Sequence, residues 1–151
     1  MIKIFHLLKD VIKLVFRHPI TGTTIIPVLS DGRIVLVKRR DTGLWSLPGG
    51  IIDWGENVVN AVTRELLEET GLELVSIMRL VGVYSSPDRD PRMHSICISI
   101  EAKVKGNFKI EDTLEITDVK AFEREAIPLG NLSHDHDRQL KDYFQGGTIL
   151  A

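Results

Sequence analysis

Three glutamates, Glu65, Glu68 and Glu69, stand at i, i+3 and i+4, so a helix would project all three from one face. Glu56 lies nine residues before Glu65 in the same stretch, Gly50 to Leu72, GIIDWGENVVNAVTRELLEETGL. Like charges at such spacings repel by roughly a few tenths of a kcal/mol per pair. Glu68 and Glu69 would also fall in the last helical turn, where the helix dipole disfavours anions. Charged residues on a helix are usually a solvated face, but a sequence shaped only for helix stability would place lysine there. A bound divalent cation resolves the repulsion. Hard oxygen ligands in this number suit Mg²⁺ or Mn²⁺, and Mg²⁺ normally arrives with substrate phosphates. Arg64 can reach Glu68 at i+4 and hold that carboxylate in one rotamer through a charge-assisted fork. Gly50 fits a turn where backbone must approach closely, and Gly71 lets the helix end abruptly.

Gly50, Glu56, Arg64-Glu65-Leu66, Glu68-Glu69 and Gly71-Leu72, at these spacings, resemble the signature of Nudix hydrolases at every fixed position. The preceding Trp45 to Gly50, WSLPGG, is similar to that family's usual flank. The likeness is specific over Gly50 to Leu72 and extends more weakly from Thr23 to Phe144. It implies a Nudix fold and Mg²⁺-dependent hydrolysis of a diphosphate in a nucleoside diphosphate derivative, with Mn²⁺ as a substitute ion. By the same resemblance, Glu65 and Glu69 are the principal metal ligands, with Gly50 in the metal site. Glu68 and Glu56 complete that site or act as the base, and Arg64 belongs to the catalytic set. Glu111 and Glu115 compete with them for the role of base. Leu66 and Leu72 match apolar positions and are packing.

The stretch Val81 to Ser95, VGVYSSPDRDPRMHS, resembles the corresponding loop of ADP-ribose pyrophosphatases, except that Met93 stands where that group often has glycine. The resemblance implies release of AMP and ribose 5-phosphate, with Arg89, Arg92 and His94 lining the substrate cleft. The bland alternative is a stiff turn in which Asp88 and Asp90 pair with the arginines. Arg39 and Arg40 end a strand and either reach phosphate or are solvated. Trp45 and Tyr84 either stack on a purine or pack. His134, Asp135, His136 and Asp137 look metal-like, but Asp at a helix start is more often a cap. Two other readings are a nucleoside triphosphate pyrophosphohydrolase acting on non-standard nucleotides and a non-catalytic nucleotide sensor. The intact glutamate cluster speaks against the second of these.

The elements that must position these residues follow from hydrophobic period. Thr23 to Leu29 and Arg33 to Arg40 read as strands joined at the Asp31-Gly32 turn, and Trp45 to Gly50 reads as a loop. Glu56 to Thr70 reads as a helix capped by Asn57, with Val58, Val59, Val62 and Leu66 facing inward and Gly71 as its left-handed stop. Leu74 to Tyr84, His94 to Val104 and Ile116 to Phe122 read as strands, and Ser133 to Phe144 as a closing helix capped by Ser133 or Asp135. The sum is one α/β domain, a mixed sheet sandwiched between helices, over residues 19–151. Residues 1–18 read as an amphipathic helix whose apolar face packs on the domain or a second subunit, a homodimer, more readily than on a membrane surface.

Apolar residues make up 43% of the 151 and charged residues 26%, an ordinary globular composition. A net charge of −2 without a basic stripe argues against a nucleic-acid partner and leaves a small-molecule nucleotide as the expected one. The single cysteine, Cys97, cannot form an internal disulfide, which points to a reducing cytoplasm, and it reads as inert filler.

Overall fold

The computed structural model describes residues 18–151, so the amphipathic helix expected at 1–18 lies almost wholly outside the described residues. The strands are β1 (Ile20–Val28), β2 (Ile34–Arg39), β3 (Trp45–Ser46), β4 (Gly49–Ile51), β5 (Glu73–Tyr84), β6 (Ser95–Lys105), β7 (Ile116–Phe122) and β8 (Ile149–Leu150). Two helices, α1 (Val58–Thr70) and α2 (His136–Gln145), accompany them. The main path of the sheet runs β3-β2-β1-β6-β5-β8, with β4 on β1 and β7 on β2. β1 and β6 run parallel, while β1–β2 and β5–β6 are antiparallel, so the sheet is mixed.

Alternation along the central strands builds two cores. Ile25 and Val35 join Val62 and Leu66 of α1, whereas Ile26 and Leu36 join Leu140 of α2. Adjacent strand residues point to opposite faces, so one helix covers each side and the α/β/α sandwich read from the sequence is the fold observed. The clean alternation of β6 puts Ile98, Ile100, Ala102 and Val104 under α1. Among the described residues no helix is long and apolar enough to cross a membrane.

Three local expectations change. The segment 45–50 contains two short strands rather than being all loop. β4 lies antiparallel on β1, with Thr23 opposite Gly50 and Thr24 opposite Gly49. Helix α1 begins at Val58, with Asn57 accepting the Asn60 N–H at 2.9 Å; Val59 is 49% exposed and Ala61 takes the inward place instead. α2 begins at His136 rather than Ser133. Asp135 occupies its cap position, but its carboxylate makes no capping bond.

Candidate active site

α1 ends at Gly71 in the left-handed conformation, φ 76°, and its last two turns carry the acidic face. Glu69 is 2% exposed, and its Oε2 accepts the Gly49 N–H at 2.9 Å. Burial pushes its carboxyl up to about 8, against the pull of that amide. Glu65 is also buried, and desolvation raises it while Arg64 opposes the rise. The Glu65 carboxylate lies against Gly50, where a β-carbon would collide with it. β4 therefore serves as a glycine shelf: one amide grips Glu69, and a bare Cα makes room for Glu65.

The fork expected from Arg64 to Glu68 falls on Glu56 instead. Arg64 Nε and Nη2 donate to the two Glu56 oxygens at 3.0 and 2.9 Å, and Nη2 also reaches the Ile51 carbonyl at 3.0 Å. Only Nη1 reaches toward Glu68, at 3.4 Å, and it lies nearer to Glu65, at 2.8 Å. The reason is geometric: Glu56 precedes the helix and folds back over its first turns, giving the guanidinium a bidentate carboxylate partner. Beside Arg64, Glu56 is held below the usual carboxylate range, and its Oε2 also accepts the Asp53 N–H at 3.0 Å.

A cleft of about 440 Å³ opens beside this face. Glu65 and Glu68 line it with Glu115 and Asp112 from the segment before β7, and with Arg39, Arg89 and Arg92. Each of these arginines already has an aspartate. Arg39 forks Asp41 at 2.9 and 2.9 Å, and Arg92 forks Asp90 at 3.0 and 2.8 Å. Arg89 Nη1 donates to Asp135 at 2.9 Å and Nη2 to Ser95, so its partner is not Asp88. Asp41 and Asp90 are each lowered to about 2, first by the hydrogen bond from their arginine.

Other candidates lie apart. Arg40 donates to the Thr113 carbonyl at 3.0 and 3.3 Å, and His94 Nε2 sits 3.1 Å from the Ser85 carbonyl. Trp45 packs edge-to-face on Phe122 at 5.0 Å, and Tyr84 is buried with its hydroxyl on Asp142 at 3.0 Å. None of these four lines the cleft, and neither do Glu56 and Glu111. Conversely, Asp112, Thr24, His134 and His136 line it without having been expected there. Only the His134-to-Asp137 run carried a hint, and its residues prove to be tethers: Asp137 accepts the Leu132 N–H at 3.1 Å, and His136 Nδ1 accepts the Leu47 N–H at 3.0 Å.

The donor set fits a hard divalent ion. Glu69 is a deeply buried carboxyl raised by desolvation, with Glu65 beside it, and Arg64 Nη1 bridges Glu65 and Glu68 as a cationic partner. As they stand, no three His, Cys, Asp or Glu side chains among the described residues converge on one point.

Fold and site together define a hydrolase of the Nudix class. The family model described as NUDIX domain matches residues 18–143, and the chain belongs to that family of pyrophosphohydrolases. It is similar to an ADP-ribose pyrophosphatase of Methanocaldococcus jannaschii, 39% identical over 134 residues, covering 86% of this chain and 76% of the relative. It is also similar to a putative 8-oxo-dGTP diphosphatase of Bacillus subtilis, 34% identical over 83% of this chain and 80% of the relative. A crystal structure of an ADP-ribose pyrophosphatase from Streptococcus suis superposes with a TM-score of 0.72 at 26% identity, covering 89% of this chain and all of the other (100%).

Proposed function

We propose that this chain hydrolyses ADP-ribose to AMP and ribose 5-phosphate, with Mg²⁺ held by Glu65, Glu68, Glu69 and the carbonyl of Gly50, and Mn²⁺ able to replace it. The observation that carries the reading is the charge of the cleft. Its lining holds six acids, Asp53, Glu65, Glu68, Asp90, Asp112 and Glu115, against four arginines, Arg39, Arg64, Arg89 and Arg92. A polyanion entering such a cleft needs added cations. A diphosphate diester carries two negative charges and a triphosphate about four, so the cleft suits the former better. The similarity to an ADP-ribose pyrophosphatase supports the same substrate.

When bound, the ion neutralises phosphate charge and makes nearby water more acidic. Glu115 takes the proton of the attacking water: it lines the cleft, as Glu56 and Glu111 do not, and Glu68 is given to the ion. Arg39 and Arg92 steady the phosphates, and Arg64 keeps the acidic face in register through Glu56 and Glu65. Cys97, buried and raised by desolvation, takes no part and suits a reducing cytoplasm.

Purified protein with Mg²⁺ should be offered ADP-ribose and 8-oxo-dGTP, with products resolved by chromatography. The expected kcat/KM for ADP-ribose exceeds that for the triphosphate by roughly tenfold or more. A preference for the triphosphate, releasing pyrophosphate, would overturn the reading in favour of a nucleotide-cleansing enzyme.

A further inference from the structure

We propose that His136 is a fixed, neutral hydrogen-bond donor to the substrate, its Nε2–H meeting a phosphate-ester oxygen in the cleft. This deepens the ADP-ribose reading and rests on it.

The tautomer follows from a backbone atom. The Leu47 amide can only donate, and it lies 3.0 Å from His136 Nδ1, so Nδ1 must carry a lone pair. A neutral imidazole with a bare Nδ1 holds its proton on Nε2. The ring is 6% exposed, and burial keeps it neutral, its pKa pushed down to about 3. Ser46 Oγ, also 3.0 Å from Nδ1, occupies the same side of the ring. Nε2 has no partner among the described residues, yet the ring lines the cleft beside Thr24, Cys97 and Arg89. Nε2 is not among the enclosed orphan atoms, which are Arg89 Nε, Ser99 Oγ and Asp135 Oδ2 among the described residues, so this donor is reachable from the cleft and free to meet a ligand there.

Its chemistry is narrow. The proton on Nε2 bars that nitrogen from ligating a metal, and the ring carries no charge to attract a carboxylate from afar. It offers one directed donor to an oxygen acceptor. Arg39, Arg89 and Arg92 of the cleft are each shared with an aspartate, so a neutral donor fixed by backbone adds what they lack. α2 carries the ring and the Leu47 amide just before β4 fixes its Nδ1, so the donor is placed before the ligand arrives.

The test is ¹⁵N NMR of the full chain with Mg²⁺, adding AMP, inorganic pyrophosphate or free ribose. The expected spectrum shows His136 protonated at Nε2, with that resonance moved by AMP and by pyrophosphate and left in place by ribose. His136→Asn supplies a second arm, since its Oδ1 can still accept from Leu47 while the Nε2 donor is gone. Its kcat/KM for ADP-ribose should fall roughly 10- to 100-fold with the melting temperature kept. Protonation at Nδ1, an Nε2 signal unmoved by saturating AMP and pyrophosphate or moved by ribose alone, or wild-type kcat/KM in His136→Asn would each overturn the proposal. If the chain cleaves ADP-ribose while any of these holds, this inference falls alone; if it neither binds nor cleaves any diphosphate, the underlying reading falls first.

Discussion

At Gly50 the absence of a side chain is itself functional. A β-carbon there would stand 2.7 Å from Glu65 Cδ, closer than real contacts allow. Because the obstacle is the end of a flexible side chain, Gly50→Ala should fold and displace the carboxylate instead. The expected outcome is a loss of about 100-fold in kcat/KM with a melting temperature close to wild type, measured by steady-state kinetics beside thermal unfolding. Gly49 differs, since a β-carbon there would meet the Thr23 backbone of β1, and substitution should lower stability itself. Glu69→Gln tests the neighbouring carboxyl. With that group raised to about 8 and accepting from Gly49, glutamine reproduces the neutral acid in shape, so fold and melting temperature should hold while turnover is abolished. Wild-type activity in Glu69→Gln would remove it from the metal site. These residues were legible because they lie along one helix and its preceding loop, where spacing translates directly into geometry. Of the aspartates that pair with the loop arginines, Asp90 was legible beside Arg92, but Asp135 lies 46 positions from Arg89, and no local pattern announces such a pairing.

The first turn of α2 does more than close the sheet. Asp135 gives up the capping bond and grips Arg89 and Gln139, His136 grips the chain entering β4, Asp137 gathers the turn before it, and Gln139 accepts from Thr24 on β1. A helix start rich in Asp and Ser reads as a capping signal, and here tertiary partners outbid the cap. That competition is why the helix was expected three residues early and why its role at the cleft stayed hidden. The fold itself was more legible, because two-residue alternation in β1, β2 and β6 and helical period in α1 are local signals. A pH prediction follows from His136. Its folded pKa, about 3, lies below the ordinary value of 6.5, through burial first and then through His134, Arg89 and Arg39. The unfolded chain therefore binds the extra proton between these limits. The His136 share of stability is complete above pH 6.5 and is lost as pH falls toward 3, at up to about 1.4 kcal/mol per unit. Urea unfolding across that range should show the slope, and His136→Asn should flatten it; an unchanged slope would mean the imidazole is not held neutral.

On the scale of the whole molecule, a chain of net charge −2 presents an acidic cleft to an anionic substrate, so binding depends on cations brought from solution. The distribution of aspartates sharpens this dependence. By pairing Asp41, Asp90 and Asp135 with Arg39, Arg92 and Arg89, the fold keeps the arms in place while holding their net charge near zero. Unpaired, those arms would favour the most highly charged phosphate chains; paired, they leave discrimination to shape and hydrogen bonding. Asp90→Asn should therefore free Arg92, whose side chain is half exposed, and lower KM for a triphosphate several-fold while changing ADP-ribose little. The shift should shrink as salt is raised from 0.05 to 0.5 M, since an exposed charge is screened within about 10 Å at 0.1 M. Equal responses of both substrates, or a shift insensitive to salt, would show that the paired arginines do not select against phosphate charge.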